Sequence, residues 1–371
     1  MNAVGLAVLL AAMVAGTASG EARVARPSDA KPGVAPETGV EVRILSKHRP
    51  ARLRLDGPRS LEVFASRDVL LVDGRAVSPP LRLESGRWRI RGRNLDRRYE
   101  GSLSLDARAG ELILIATLAL ETYVAAVTAS ETEVDTPFEA LRAQAITARS
   151  YVLASGRRHE EARACDLTHC QVLRGEGFAR HLARARDAAR STEGVVLRLR
   201  DGAIALAPFH ASCGGHTAEP VAVFGAPDLT GAAAVPDRCP ASPWSAVVSR
   251  AQVTAAATEA LGSPAQAADL LLDRDSSGAV VRVVDRASGR DARGDALFRA
   301  LGARAGWDRI RSARFSFAFG GERVLVEGQG HGHGVGLCQA GAALLARQGQ
   351  TAEQLLAHYF PRALLSHTKD K

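Results

Sequence analysis

The feature that most limits the fold is a change of hydrophobic period near residue 118. Before it the chain alternates. Val40, Val42 and Ile44 are separated by Glu41 and Arg43. Leu81, Leu83, Trp88 and Ile90 form a second run, with a turn expected at Ser85-Gly86. Tyr99, Leu103 and Leu105 lead through a turn at Ala109-Gly110 to the apolar stretch 112–115. Alternation with such turn spacing specifies antiparallel strands. After it, in LETYVAAVTASE, Leu120, Val124, Val127 and Glu131 stand at i, i+4, i+7 and i+11. They share one helix face, so a carboxylate closes an otherwise apolar stripe. Thr136-Pro137-Phe138-Glu139 has the form of a capping box with Pro at the first helical position. It opens a helix to about Ser155, ended by Gly156, with Phe138, Leu141, Ala145, Ala148 and Val152 as its buried face. Glu131 therefore falls at a junction of two helices. Strands followed by helices indicate an α+β fold: a β-rich N-terminal part, a helical segment and a small α/β inserted lobe.

Further along, a short helix is expected near 179–190 and a strand at 195–199. Residues 244–312 read as the small lobe, with helices near 250–261 and 295–304 and strands near 267–273 and 278–285. Strands at 314–319 and 323–327 precede a Gly-rich loop and a helix ended by Gly349. Thr351 and Gln354 cap a last helix, stopped by Pro361.

Residues 1–20 carry no charged side chain. An apolar stretch from Val4 to about Val14 is followed by small residues, with Ala18 and Gly20 at the −3 and −1 positions of a cleavage site. This is the pattern of a secretory signal peptide; an uncleaved anchor is the competing reading. Residues 21–38 read as a flexible lead-in. Export matters to the charge. Lys+Arg exceed Asp+Glu by 48 to 40, a net +8, and the only lysines are Lys31, Lys47, Lys369 and Lys371. Without a dense basic run, this balance suits an anionic cell envelope better than a nucleic-acid groove, although a bias toward Arg and Ala accounts for it equally well. With 46% hydrophobic and 24% charged residues, a wholly disordered chain and a polytopic membrane protein are excluded.

Few residues offer chemistry. A carboxyl in an apolar corner has its charged form disfavoured, so Glu131 suits a general acid; a solvent-exposed helix end is the alternative. Cys165-Asp166-Leu167-Thr168-His169-Cys170 offers two thiolates and an imidazole to zinc, with His159, His210, His331 and His333 as sources of a further ligand. A Cys165–Cys170 disulfide is the rival in an exported chain. The five cysteines (165, 170, 213, 239 and 338) are odd in number, so at least one thiol lacks an intramolecular partner. In Gly330-His331-Gly332-His333-Gly334-Val335-Gly336 the glycines permit close backbone approach. An extended segment would point His331 and His333 the same way; a tight backbone crossing is the alternative. The Lys-Ser/Thr ending of a phosphate-binding loop is missing.

LETYVAAVTASE…PFEALRAQAITARSYVLA resembles the first signature of the SpoIID/LytB family, the stage II sporulation protein D type of peptidoglycan lytic transglycosylase. GHGHGVGLCQAGAALLARQGQTAEQLLAHYFP resembles its closing signature. CDLTHCQVLRGE, FHASCGGHTAEP and GDALFRALG resemble intermediate blocks in the same order, so the likeness spans roughly residues 40–362. The resemblance implies that Glu131 is the catalytic acid and that Arg149, His210, Gly214, Gly215, His333 and Gln339 contact substrate. It also implies metal binding near the Cys165, His169 and Cys170 block, so zinc is the one cofactor expected. Ser150, Leu337 and Cys338 replace the usual Thr, Met and Ser. Leu173 stands where the family often has Tyr, which puts a sugar contact in question. On this reading the chain divides into a signal peptide (1–20), a lead-in (21–38), a β-rich part (39–118), a first catalytic segment (119–243), the lobe (244–312) and a closing catalytic segment (313–362).

The implied reaction is cleavage of the glycosidic bond between N-acetylmuramic acid and N-acetylglucosamine, with closure of a 1,6-anhydro ring. The implied partners are peptidoglycan glycan strands stripped of stem peptides and a cell-wall amidase acting upstream. No nucleic acid and no membrane span after signal cleavage are expected, and the location is periplasmic or extracellular. A non-catalytic wall-binding or amidase-modifying protein is the runner-up. A zinc peptidase is weak, because no His-Glu-x-x-His occurs.

Overall fold

A computed structural model describes residues 39–176, 180–225 and 228–370. The leader and lead-in readings for 1–20 and 21–38 lie outside the described residues. Alternating burial builds strands β1 (Val40–Ile44), β2 (Arg52–Asp56), β3 (Ser60–Ser66), β4 (Val69–Val72), β5 (Arg75–Val77), β6 (Leu81–Gly92), β7 (Leu95–Arg108) and β8 (Glu111–Leu118). With β9 (Ala164–Cys165) they form one sheet in the order β5-β4-β3-β2-β6-β7-β8-β1-β9. All pairs are antiparallel except β1 with β9. Ala109 and Gly110, both at positive φ, make the tight β7–β8 turn as expected. Ser85-Gly86 is not a turn. β6 runs through it with a register shift between Leu83 and Gly86, because a bulge absorbs the break in alternation without reversing the chain.

Helices α1 (Leu120–Glu131) and α2 (Phe138–Ala154) come next. Tyr123, Val124 and Val127 of α1 and Ala145, Ala148 and Val152 of α2 pack on the sheet residues Val42, Leu103, Leu105 and Leu114. The expected capping box does not form. Pro137 is the N-cap, with no side-chain cap bond. The Glu139 carboxylate instead accepts from Arg142 (2.7 Å) and from the Ala352 N–H (2.8 Å). Phe138 is 39% exposed, not part of a buried face. The other side of α2, through Ala140, Ala143 and Ile146, enters a second core. An Ala-rich helix with small residues on every side can be buried all round.

Beyond α2, α3 (Leu182–Ser191) leads into β10 (Val195–Leu199) and β11 (Phe209–His210), then α4 (Pro220–Phe224). Leu197, Ala205, Ala207 and Val223 of this stretch join the second core. The lobe is built from β12 (Pro243–Ser249), α5 (Arg250–Leu261), β13 (Leu270–Arg274), β14 (Val280–Asp285), β15 (Asp291–Arg293), α6 (Gly294–Ala305), β16 (Phe315–Gly320) and β17 (Arg323–Gln329). β12 pairs with β17 and β17 with β16, and Phe315, Val324 and Val326 share one core with Trp244, Val253 and Leu301. The strands at 315–329 thus pack with the lobe rather than with the closing segment. The chain returns through β18 (Leu337–Cys338), α7 (Gln339–Arg347), α8 (Ala352–Tyr359) and β19 (Ala363–His367). β18 pairs with β11 and β19 with β10, closing the second core around α2. Thr351 and Gln354 form the capping box of α8. Among the described residues no helix is long and apolar enough to cross a membrane.

Candidate active site

Glu131 is the last residue of α1, where the apolar stripe meets the loop 171–174. That loop is pinned to α1 at three points. The Tyr123 hydroxyl donates to Gln171 Oε1 at 2.8 Å. The Val172 N–H donates to Glu131 Oε1 at 2.6 Å. The Arg174 N–H donates to Ser130 Oγ at 3.1 Å. On the other side Gln339 Nε2 donates to the Glu131 carbonyl (3.0 Å) and to Gln144 Oε1 (3.2 Å). Gln144 is buried; the sequence showed it only as a polar residue in an Ala-rich helix. Burial pushes the Glu131 carboxyl up to about 7, against the opposing pull of the Val172 N–H and the Arg174 charge. A carboxyl poised there can give and retrieve a proton near neutral pH.

The loop that meets Glu131 begins at a thiol. Cys165 lies on β9 and Cys170 directly precedes Gln171. Cys165 Sγ is 3.1 Å from His169 Nε2, and His159 Nε2 is 3.2 Å from Cys170 Sγ. The four ligand atoms lie within 4.8 Å of one another. Both cysteines are free thiols, and of the four histidines considered it is His159 that completes the set. Two thiols and two imidazoles at this spacing fit a single tetrahedral zinc-type ion. The Cys170 thiol is held well below its ordinary range by hydrogen bonding to Cys165 first, then to His159 and His169. β9 is fixed by pairing with β1, and the Asp166 carboxylate accepts the Leu45 and Ser46 N–H groups at 2.6 and 3.2 Å.

The remaining expected site residues divide. Arg149 does not face a site. Its side chain is wholly buried, donating from Nε and Nη2 to Glu121 at 2.8 and 2.5 Å and to the carbonyls of Val195 and Ala189. A buried guanidinium needs such partners, so Arg149 ties α2 to α1, α3 and β10. Leu173 is 2% exposed in the sheet–helix core and is turned away from any sugar. His210, on β11, pairs in register with Cys338, the neighbour of Gln339. Its Nδ1 lies 3.1 Å from the Val335 carbonyl, and its buried Nε2 has no partner among the described residues. His333 accepts the Val335 N–H at Nδ1 (3.0 Å), and its ring centroid stands 5.5 Å from those of His210 and Phe224. Burial holds the imidazoles of His210 and His333 down to about 3 and about 4, so both are neutral at pH 7.

The Gly-rich segment is not extended. Gly330, Gly332, Gly334 and Gly336 all have positive φ, which destroys the two-residue alternation. His331 is exposed and pairs through its backbone with Ser212, while His333 turns inward; the two imidazoles do not share a side. A Cβ at Gly336 would lie 2.3 Å from the Pro208 carbonyl oxygen, so this is a tight backbone crossing that only glycine permits. The Gly214-Gly215 turn presents the Gly214 carbonyl to Arg314 at 2.8 Å. His333 also lines a cleft shared with His216, Ser277, Ser312, Arg314 and Gln329 of the neighbouring loops and lobe; Glu131 is not on its wall.

The family model for stage II sporulation protein (SpoIID) matches residues 108–199, which carry α1, α2, the cysteine–histidine cluster and the 171–174 loop. Stage II sporulation protein D of Bacillus subtilis is 25% identical over 278 residues, 68% of this chain and 76% of its own length. The protein of the same name from Bacillus amyloliquefaciens is 25% identical over 272 residues, 66% of this chain and 74% of its own. An uncharacterised protein of Brachyspira hyodysenteriae is 27% identical over 269 residues, 71% of this chain and 70% of its own. The domain match lies on the helices and loop that build the Glu131 site, and the relatives extend the likeness over about two thirds of the sequence; together they support assignment of the chain to the SpoIID family.

Proposed function

We propose that this chain is an exported peptidoglycan lytic transglycosylase whose acid and base are both Glu131. Membership of the SpoIID family points to cell-wall work. The observation that carries the finer reading is the Glu131 carboxyl itself, half-buried at the end of an apolar stripe and pushed up to about 7. Burial, the Val172 N–H and Arg174 account for its ionisation, with no second carboxylate among the causes. A water-using glycosidase needs two carboxyl groups. An internal nucleophile needs one, because its effective concentration replaces the second group's activation of water.

The protonated carboxyl of Glu131 donates to the glycosidic oxygen as the bond to C1 of N-acetylmuramic acid breaks. The resulting carboxylate takes the proton from the C6 hydroxyl, whose oxygen closes on C1 to give the 1,6-anhydro sugar. The Val172 N–H stabilises the carboxylate between these events, and Gln339 fixes the backbone from which it projects. His159, Cys165, His169 and Cys170 would hold a zinc-type ion, which supplies a structural cross-link at the root of the 171–174 loop. The substrate is glycan stripped of stem peptides, supplied by an amidase.

The test is mass spectrometry of denuded glycan strands digested with the purified protein. Anhydro-muramic ends are expected. Reducing ends would overturn the non-hydrolytic mechanism, and glycan binding without any product would favour a wall-binding protein.

A further inference from the structure

A second cluster of ligand-type side chains lies in the core around β11 and β18. Cys213 precedes the Gly214-Gly215 turn, Asp237 and Cys239 come from the loop before β12, and Cys338 ends β18. Their ligand atoms all lie within 4.8 Å of one another. The three cysteines are free thiols, each no more than 7% exposed.

Each sulfur meets a hydrogen-bond donor. The Gly215 N–H points at Cys213 Sγ (3.4 Å), and the Cys213 and Gly341 N–H groups point at Cys338 Sγ (3.3 and 3.4 Å). Ser212 Oγ lies 3.4 Å from Cys239 Sγ. Cys338 is also the N-cap of the nine-residue α7. Backbone donors and a helix N-terminus are surroundings that suit a sulfur ligand carrying negative charge. Asp237 Oδ2 accepts from Tyr359 (3.0 Å) and Cys213 Sγ (3.1 Å), but its buried Oδ1 has no partner among the described residues. A buried carboxylate oxygen left bare beside three sulfurs is costly unless a cation completes it.

We propose that Cys213, Asp237, Cys239 and Cys338 form a second metal site, for a thiophilic divalent cation of the zinc type. Tetrahedral bonds of about 2.3 Å place ligand atoms about 3.8 Å apart. Ligand atoms that all lie within 4.8 Å of one another are compatible with one such ion and too tight to span an iron–sulfur cube. A disulfide would satisfy two of the sulfurs and leave the third thiol and the Asp237 oxygen unpaired. The ion would clamp the Gly-Gly turn, the loop before β12 and the start of α7 together. Gln339, which holds the Glu131 carbonyl, is the next residue after Cys338. The binding itself does not depend on the reaction proposed above.

The test measures metal in the full-length protein purified without added metal, comparing wild type with the C165S/C170S and C213S/C239S variants. The C165S/C170S protein should retain about one zinc per chain. When reloaded with cobalt, it should show a thiolate-to-cobalt charge-transfer band that disappears on adding Cys239→Ala. A folded C165S/C170S protein with neither zinc nor cobalt overturns the proposal. So does a disulfide among Cys213, Cys239 and Cys338, found by thiol titration and peptide mapping of the wild type. Should C165S/C170S fail to fold, Cys239→Ala alone decides. It must lower the wild-type zinc content by about one ion, and an unchanged content overturns the site.

Discussion

Replacing Glu131 by Gln separates a catalytic carboxyl from a structural one, because the two roles move stability and turnover in opposite directions. The carboxyl rises from 4.5 to about 7 in the folded chain, and burial is the leading cause. That difference favours the protonated form by about 3 kcal/mol, or about 2 kcal/mol once its partly open side is allowed for. The folded state holds its proton more tightly than the unfolded state. The stabilisation is therefore fully present below pH 4.5 and is lost as pH rises through about 7. Gln keeps the shape and the oxygen that accepts the Val172 N–H, and it never ionises. Glu131→Gln should match wild type in urea unfolding at pH 4.5 and exceed it by about 2 kcal/mol at pH 8. Release of anhydro-sugar ends should fall by about 100- to 10,000-fold, since one group serves both proton transfers. In the wild type, the rate should decline as pH rises through about 7, where the acid form is lost. Wild-type turnover in the Gln variant refutes the role of Glu131. A stability difference that does not change between pH 4.5 and pH 8 refutes its burial as the source of the shift.

Five further substitutions probe the surrounding geometry. Cys170→Ser should lower turnover and move the alkaline limb of the pH–rate profile upward, because a loosened loop withdraws the Val172 N–H that favours the carboxylate; an unmoved limb would show that the cluster does not govern this contact. Gln339→Ala should cut kcat more than KM and cost about 1–3 kcal/mol, as buried Gln144 loses its partner, read by steady-state kinetics and thermal unfolding. Arg149→Met should destabilise by about 3 kcal/mol through the stranded Glu121 and leave the pH–rate profile of the folded fraction unchanged. His333→Ala should lower both thermal stability and turnover, because the ring packs between His210 and Phe224; exposed His331→Ala should leave both nearly intact.

The period-2 and period-3.6 segments led to the strand and helix assignments because burial on one face is a local property of the sequence. The turn at Ser85-Gly86 failed for the same reason. A bulge and a turn both interrupt alternation, and only the pairing with β7 distinguishes them. The Gly-rich segment failed on φ: four left-handed glycines cancel the alternation on which the shared orientation of His331 and His333 rested. β12 and β19 pair with strands far along the chain, a relation that no local window contains. Arg149 lies in a block matching the family's signature, and the resemblance assigned it to substrate. An Arg in an Ala-rich helix buried on all sides must find an internal anion, and Glu121 was already in the sequence 28 residues earlier.

What the sequence could not display is how Glu131 is held from three directions at once. Its carboxyl is met by the loop that starts at Cys170, its carbonyl by Gln339 at the start of α7, and its helix by the sheet. The first two contacts come from segments that each begin beside a cysteine cluster, Cys170 in one and Cys338 in the other. A carboxyl that must be buried enough to hold a proton near pH 7 cannot also be fixed by a strong ion pair, which would pull its ionisation down again. Rigidity must then come from neutral backbone and amide contacts anchored elsewhere. The two proposed ligand sets would meet that need, since an ion in either would stiffen a supporting segment without pairing with the carboxyl. Tuning and positioning are thereby assigned to different groups, so loosening either cluster should misplace Glu131 before it unfolds the chain.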